Sequence, residues 1–159
     1  MEALIAAAML TIAPPPFQWH WPDVREHWPG VSLELEASVQ VGAVVGGLIG
    51  DVHPAWLVAT AFVESSFRPT VMGDQGTSFG LCQLKARTAR AAWPAVTRSD
   101  LLDPTRNLVV AGAVYRRIIA KWGRERAQRV YGCGVYCVGV TKGARAKMVW
   151  FKRLTAPQA

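Results

Sequence analysis

The chain has 159 residues, of which 51% are hydrophobic and 18% are charged, and its formal net charge is +7. This length and composition are typical of one globular domain and exclude a disordered or fibrous protein. No apolar run reaches the roughly 18 residues of a membrane span. The closest run, residues 39–50, contains four glycines. We therefore predict no transmembrane span.

An N-terminal arm, rich in proline and aromatic residues, is predicted over residues 1–35, because five prolines prevent long helices there. Such an arm packs on its own domain or on a partner. Residues 4–13 resemble the apolar core of a signal peptide. However, Glu2 stands where a basic residue is usual. A cleaved signal is therefore the less favoured interpretation.

The pattern from residue 36 onward is helical, and we predict a domain over residues 36–154 and a short tail at 155–159. The Gly-rich stretch 73–84 predicts a loop or short β-hairpin. Helices are predicted, in chain order, at residues 36–49, 51–65, 86–92, 103–122, 124–131 and 142–154. Asp51 is the expected cap of the second helix, and Ala144, Met148 and Phe151 share one face of the last. The fold class is mainly α, with a small β element.

Positive charge is concentrated towards the end of the chain. Between Tyr115 and Arg153 there are eleven lysines and arginines, and Glu125 is the only acid. Such a face either attracts polyanions, such as nucleic acid, anionic lipid or an anionic cell wall, or is a solvated basic surface. No helix-turn-helix, RNA-binding or zinc-finger pattern accompanies it, so we predict no nucleic-acid partner.

Glu64 is the most informative acid, because it follows the apolar residues 56–63 in a predicted helix. That helix is apolar on nearly all sides and is expected to be buried. Desolvation disfavours the charged form of an acid, so this carboxyl group is expected to stay protonated and to donate a proton to a glycosidic oxygen. The alternative is a structural glutamate paired with an arginine, such as Arg68.

Four short motifs give this acid a context. They are Glu-Ser-Ser-Phe at 64–67, Gly-Thr-Ser-Phe-Gly-Leu-Cys-Gln-Leu at 76–84 with Thr-Ala at 88–89, Asn107 with Gly112, and Tyr-Gly-Cys-Gly at 131–134. Taken in order, this set resembles the soluble lytic transglycosylase domain of the lysozyme superfamily. The resemblance covers most of the chain beyond the arm, and it implies a lysozyme-like fold with the β element beside an active-site cleft.

The resemblance implies cleavage of the β-1,4 bond between N-acetylmuramic acid and N-acetylglucosamine in peptidoglycan, with a 1,6-anhydro product and no metal or cofactor. Glu64 matches the family's single catalytic acid. Ser65 matches the next residue, whose hydroxyl would orient that acid. Gly80 would let the backbone approach the sugar, and Gln83 would hold the substrate at the cleavage point. Tyr131 matches an aromatic residue near the acid.

Two positions depart from the family pattern. Cys82 stands where methionine is usual, and a buried thiol is a plausible substitute. Gly132 stands where the family has an asparagine that contacts the substrate. One binding hydrogen bond is therefore expected to be missing or supplied elsewhere.

Residues 73–83 also resemble the Gly-Asp-x-Gly-x-x-Phe-Gly-Leu-Met-Gln stretch of goose-type lysozymes. There the aspartate, with a second one just past the glutamine, is associated with positioning water. Asp74 matches the first aspartate, but Lys85 occupies the place of the second. In the hen-type pattern the second carboxylate would fall on Ser78. A muramidase that hydrolyses with Asp74 is therefore an alternative function, and a simple turn residue is the alternative role of Asp74.

A non-catalytic scaffold that keeps the lysozyme fold is the alternative from another class, with a phage tail or secretion machine as partner through the arm. Glu64 and Gln83 argue against it. Because peptidoglycan lies outside the bacterial cytoplasm, the site of action is expected to be extracytoplasmic, and the protein either virion-carried, periplasmic or secreted.

The chain has three cysteines. The family's fold places the turns of Cys82 and Cys133 beside one cleft, and Cys137 is close in sequence to the latter. A disulfide from Cys82 to either residue is one interpretation, and three separate buried thiols is the favoured one. No Cys/His set has zinc-ligand spacing.

Overall fold

The computed structural model describes residues 28–131 and 142–156, without the side chains of 128–130. Its helices are α1 Leu33–Gly50, α2 Pro54–Ser65, α3 Ala86–Ala92, α4 Arg98–Leu102, α5 Pro104–Trp122, α6 Arg124–Val130 and α7 Lys142–Thr155. A three-stranded antiparallel sheet is formed by β1 Met72–Gly73, β2 Ser78–Phe79 and β3 Leu84–Lys85. The predicted mainly α fold with a small β element is confirmed.

Helix α1 packs along α5 with their backbones in direct contact. A Cβ atom at Gly46 would overlap the backbone of Leu108, and one at Gly112 would overlap the carbonyl group of Gly46. Residues without a side chain are therefore needed on both sides of the contact. By length and composition alone α1 could cross a membrane, and 39% of it is buried. Several of its buried residues pack on α5.

The start of α1 was predicted at residue 36, but the helix begins at Leu33. The hydroxyl oxygen of Ser32 accepts a hydrogen bond from the backbone N–H of Leu35 and caps the first turn. Three residues added at its start and Gly50 added at its end bring the helix to 18 residues, the length at which a membrane span becomes possible.

Helix α2 positions Glu64, because it ends just after that residue. His53 Nδ1 accepts from the Ala55 N–H at its start, where the sequence suggested Asp51 as the cap. Ser66 and Phe67 then both adopt left-handed conformations and terminate the helix. All eight residues of 54–61 are buried, whereas Glu64 lies in the last turn on a partly exposed side.

Helix α4 was not predicted from the sequence. It is only five residues long and begins with a capping box, in which the hydroxyl of Thr97 and the carboxylate of Asp100 each accept from the other residue's backbone N–H. The spacing Thr-x-x-Asp is the signal that could have revealed it.

The buried face of α7 agrees with the predicted one except at Met148. Ala144 is buried and Phe151 packs partly buried against the core, but Met148 is 36% exposed, and Lys147 and Leu154 are buried instead. A lysine is buried in a protein interior only where a group of opposite charge pairs with it. Here that group is the carboxyl group of Glu64, in the last turn of α2.

One end of the predicted arm packs on the domain. The ring of Trp28 lies against those of Phe62, Phe67 and Trp150, which joins the arm to α2 and α7. The predicted arm before Trp28 and the predicted tail beyond residue 156 lie outside the described residues.

Candidate active site

Glu64 pairs with a buried lysine from the far end of the chain. Lys147 Nζ lies 2.5 Å from Glu64 Oε1, and the side chains of the two residues are 1% and 23% exposed, respectively. The C-terminal end of a helix carries partial negative charge, which disfavours a carboxylate there. The ammonium group opposes that effect. The expected alternative partner, Arg68, instead donates through Nε to the Ser65 carbonyl oxygen.

Tyr131 connects this ion pair to the turn that follows β2. Lys147 Nζ donates to the Tyr131 carbonyl oxygen at 3.4 Å and lies 4.9 Å from the centre of its ring. The Tyr131 hydroxyl donates to the Cys82 carbonyl oxygen at 3.1 Å. The ring stacks on Tyr115 with centroids 4.3 Å apart. The predicted aromatic residue thus contacts the lysine that holds Glu64.

Three buried ionisable side chains near Glu64, those of Cys82, Tyr115 and Tyr131, are neutral. Burial raises the pKa of Cys82 to about 12, and the negative charge of Glu64 acts in the same direction. Burial likewise raises the pKa of Tyr115 and Tyr131 well above the usual tyrosine range. A carboxyl group that donates or accepts a proton at this position therefore has these neutral side chains and one cation, Lys147, as neighbours.

The turn at residues 80–83 is fixed by Gln83 and by backbone geometry. Gly80 has a φ of +69°, and a Cβ atom there would overlap the Leu101 carbonyl oxygen. Gln83 also has a positive φ of 47°. Its side-chain Nε2 donates to the carbonyl oxygens of Gly80 at 2.9 Å and Val71 at 3.2 Å. Both residues therefore shape the turn, whatever they do for a substrate.

Asn107 on α5 anchors the same turn from below. Its side chain is fully buried, and its Oδ1 accepts from the Cys82 backbone N–H at 2.8 Å. Its Nδ2 donates to the carbonyl oxygens of Phe79 at 3.1 Å and Leu101 at 2.7 Å. The sequence supplied Asn107 as part of a motif without a role. A lone amide among the apolar residues 108–111 was the signal that it serves a buried network.

Ser65 does not hold Glu64. Its buried hydroxyl donates to the Ala61 carbonyl oxygen at 2.8 Å, one turn earlier in α2. The expected hydrogen bond from this hydroxyl to the acid is therefore not seen among the described residues. A serine inside a helix satisfies its hydroxyl on the carbonyl four residues back, because that acceptor is always within reach.

Asp74 lies in the 3₁₀ turn Asp74–Gly76 and is 60% exposed. Its Oδ2 accepts from the Ser78 hydroxyl at 2.9 Å and lies 3.3 Å from Lys85 Nζ. These hydrogen bonds and the charge of Lys85 hold the pKa of Asp74 below its ordinary value. Lys85, which stands at the position of the second goose-type aspartate, thus pairs with Asp74, which stands at the position of the first.

Cys82 is a free, buried thiol, whereas Cys133, Cys137 and Gly132 lie outside the described residues. Within residues 28–131 and 142–156, no group of three or more His, Cys, Asp or Glu side chains is placed to hold a metal ion.

Comparison with known proteins relates this chain to a domain family and to a solved structure. The transglycosylase SLT domain family matches residues 47–148. The structure is similar to that of a lytic transglycosylase Slt from Pseudomonas aeruginosa, solved as an inactive Glu-to-Gln mutant, with a TM-score of 0.59 and 18% sequence identity. The match covers 98% of this chain but only 30% of that one, and at this identity it supports the fold. No curated protein matches the sequence.

Proposed function

Because this chain belongs to the transglycosylase SLT domain family, we propose that it is a peptidoglycan lytic transglycosylase in which Glu64 is the acid and the base. The observation that carries the proposal is the position of Glu64. Glu64 stands where the resemblance places the family's acid. Its side chain is 23% exposed, and the buried Lys147 contacts one of its two carboxyl oxygens.

In the proposed reaction, Glu64 donates its proton to the oxygen that links N-acetylmuramic acid to N-acetylglucosamine, and the bond from that oxygen to C1 breaks. The resulting carboxylate accepts the proton of the C6 hydroxyl, and the C6 oxygen bonds to C1 to give a 1,6-anhydro ring. The sugar's N-acetyl group stabilises the intermediate. Water is not consumed, so no second carboxylate is required.

We assign substrate binding to Gly80, Gln83 and Tyr131. The hydrogen bonds of Gln83 to the turn and of Tyr131 to Cys82 support this assignment, because they fix the turn relative to the acid. Binding groups held by their own hydrogen bonds lose little entropy when a substrate arrives. Ser65 is left with a structural role in α2.

Hydrolysis assisted by Asp74 is the second candidate, which its ionised, exposed carboxylate favours. Replacing Asp74 with Asn should leave the cleavage rate of a transglycosylase within a few-fold of the parent rate, because the carboxylate takes no part in forming the anhydro ring. The rate is measured as soluble fragments released from purified sacculi.

Asp51→Asn is the matched control for that variant, because Asp51 is also an exposed carboxylate paired with a basic residue, Arg124. A large loss in the Asp74 variant alone, together with hydrated products from the parent, would establish the muramidase alternative.

The proposal is tested against the scaffold alternative by incubating the full chain with purified sacculi. Release of soluble muropeptides that increases with time and protein concentration is expected. If no concentration of folded protein releases fragments, the chain is a non-catalytic scaffold. We further propose an extracytoplasmic site of action, where this substrate lies, with delivery in a virion or export to the periplasm as the two routes.

A further inference from the structure

We propose that Lys147 is a positioning residue that acts through Glu64 by holding its carboxyl group in one orientation. This inference rests on the proposed function, since it concerns the acid of that reaction. It adds a residue from α7 that the sequence motifs did not single out.

Burial is the first observation. The side chain of Lys147 is 1% exposed, although other basic residues of α7, namely Lys142, Arg145, Lys152 and Arg153, are exposed. Moving an ammonium group out of water is costly unless it is paired and hydrogen-bonded. A lysine at this position therefore needs a partner of opposite charge.

The partner is identified by geometry. Lys147 Nζ contacts Glu64 Oε1 at 2.5 Å, the Tyr131 carbonyl oxygen at 3.4 Å and the face of the Tyr131 ring at 4.9 Å. Cys82 also interacts electrostatically with both members of this pair, and Tyr115 interacts with Glu64, but both are neutral because burial raises their pKa. Among these neighbours, the carboxyl group of Glu64 is the one that can balance the ammonium charge.

Two consequences follow for the acid. The contact on Oε1 restricts rotation of the carboxyl group, so its orientation towards a bound sugar is set before substrate arrives. The nearby positive charge also stabilises the carboxylate that remains once the proton has been given away. Lys147 itself is too deeply buried to touch the substrate.

Replacing Lys147 with Met removes the charge but keeps an unbranched apolar side chain. We expect kcat to fall by about tenfold to a hundredfold, with little change in KM. Lys147→Arg should restore most of the rate, because it keeps a cation against the carboxyl group of Glu64.

Lys152→Met is the matched control, since it makes the same change at an exposed position of the same helix. It should keep the parent's kcat and KM. Folding is checked with the double variant Glu64→Gln/Lys147→Met, in which neither side chain is charged, and by measuring Lys147→Gln alongside Lys147→Met.

A parent-like kcat in Lys147→Met would overturn the proposal. So would failure of Lys147→Met and Lys147→Gln to fold while the double variant folds, because Lys147 would then be only a structural counter-ion. If the parent releases no fragments, or if Glu64→Gln releases them at the parent's rate, it is the proposed function that fails.

Discussion

Replacing Glu64 with Gln is expected to slow peptidoglycan cleavage by about 10²- to 10⁴-fold. The amide has nearly the same shape as the acid, but it can neither donate a proton to the glycosidic oxygen nor accept one from the C6 hydroxyl. The rate of fragment release from purified sacculi measures the effect. Glu34→Gln is the matched control, because Glu34 is exposed in the first turn of α1, and it should keep the parent's rate.

Stability must be separated from chemistry in that variant, because Lys147 loses its counter-ion when Glu64 becomes neutral. A buried charge left without its partner destabilises the fold. The double variant Glu64→Gln/Lys147→Met should recover stability and remain inactive. A folded Glu64→Gln protein that clears sacculi as fast as the parent would make Glu64 a structural residue and end the assignment.

Replacing Asn107 with Leu is expected to lower the free energy of unfolding by at least about 3 kcal/mol, because each buried polar group left unpaired costs about 1 to 3 kcal/mol. Three backbone groups would lose their partner, namely the N–H of Cys82 and the carbonyl groups of Phe79 and Leu101. Urea denaturation followed by circular dichroism measures the change.

Activity should fall with stability in this variant, because the turn at residues 80–83 loses its anchor on α5. Gln40→Leu is the comparison, since the Gln40 amide is exposed and its Nε2 donates to Glu36, one turn away in the same helix, at 3.3 Å. It should change stability by less than about 0.5 kcal/mol. An Asn107 variant with the parent's denaturation midpoint would contradict the role given to this network.

Much of the architecture could be predicted from the sequence because helix signals are local. Apolar spacing predicted α2, α3, α5 and α6 close to their observed bounds, because Pro54 and Pro104 begin helices and Gly123 ends one. The Gly-rich stretch 73–84 predicted the β element, whose strands lie within and at the ends of that stretch. The family motifs singled out Glu64 for a different reason, because they match residues of an active site and do not depend on helix periodicity.

The ion pair could not be predicted in this way. Lys147 lies 83 positions from Glu64, and periodicity within α7 favoured Met148 for the buried face because it weighs each side chain by its own hydrophobicity. A charge supplied by another helix reverses that preference. Ser65 shows the same limit on a smaller scale. Its place beside the acid in sequence suggested a contact, but its hydroxyl is satisfied within its own helix.

The central claim, that Glu64 drives a cleavage in which no water is consumed, is tested most directly by the mass of the products. Purified sacculi are digested to completion with the full chain, and the soluble fragments are analysed by mass spectrometry. Fragments whose N-acetylmuramic acid ends are lighter by one water than the hydrated sugar are the predicted result. Hydrated reducing ends, formed from the first time point onward, would contradict the account and identify the protein as a hydrolase.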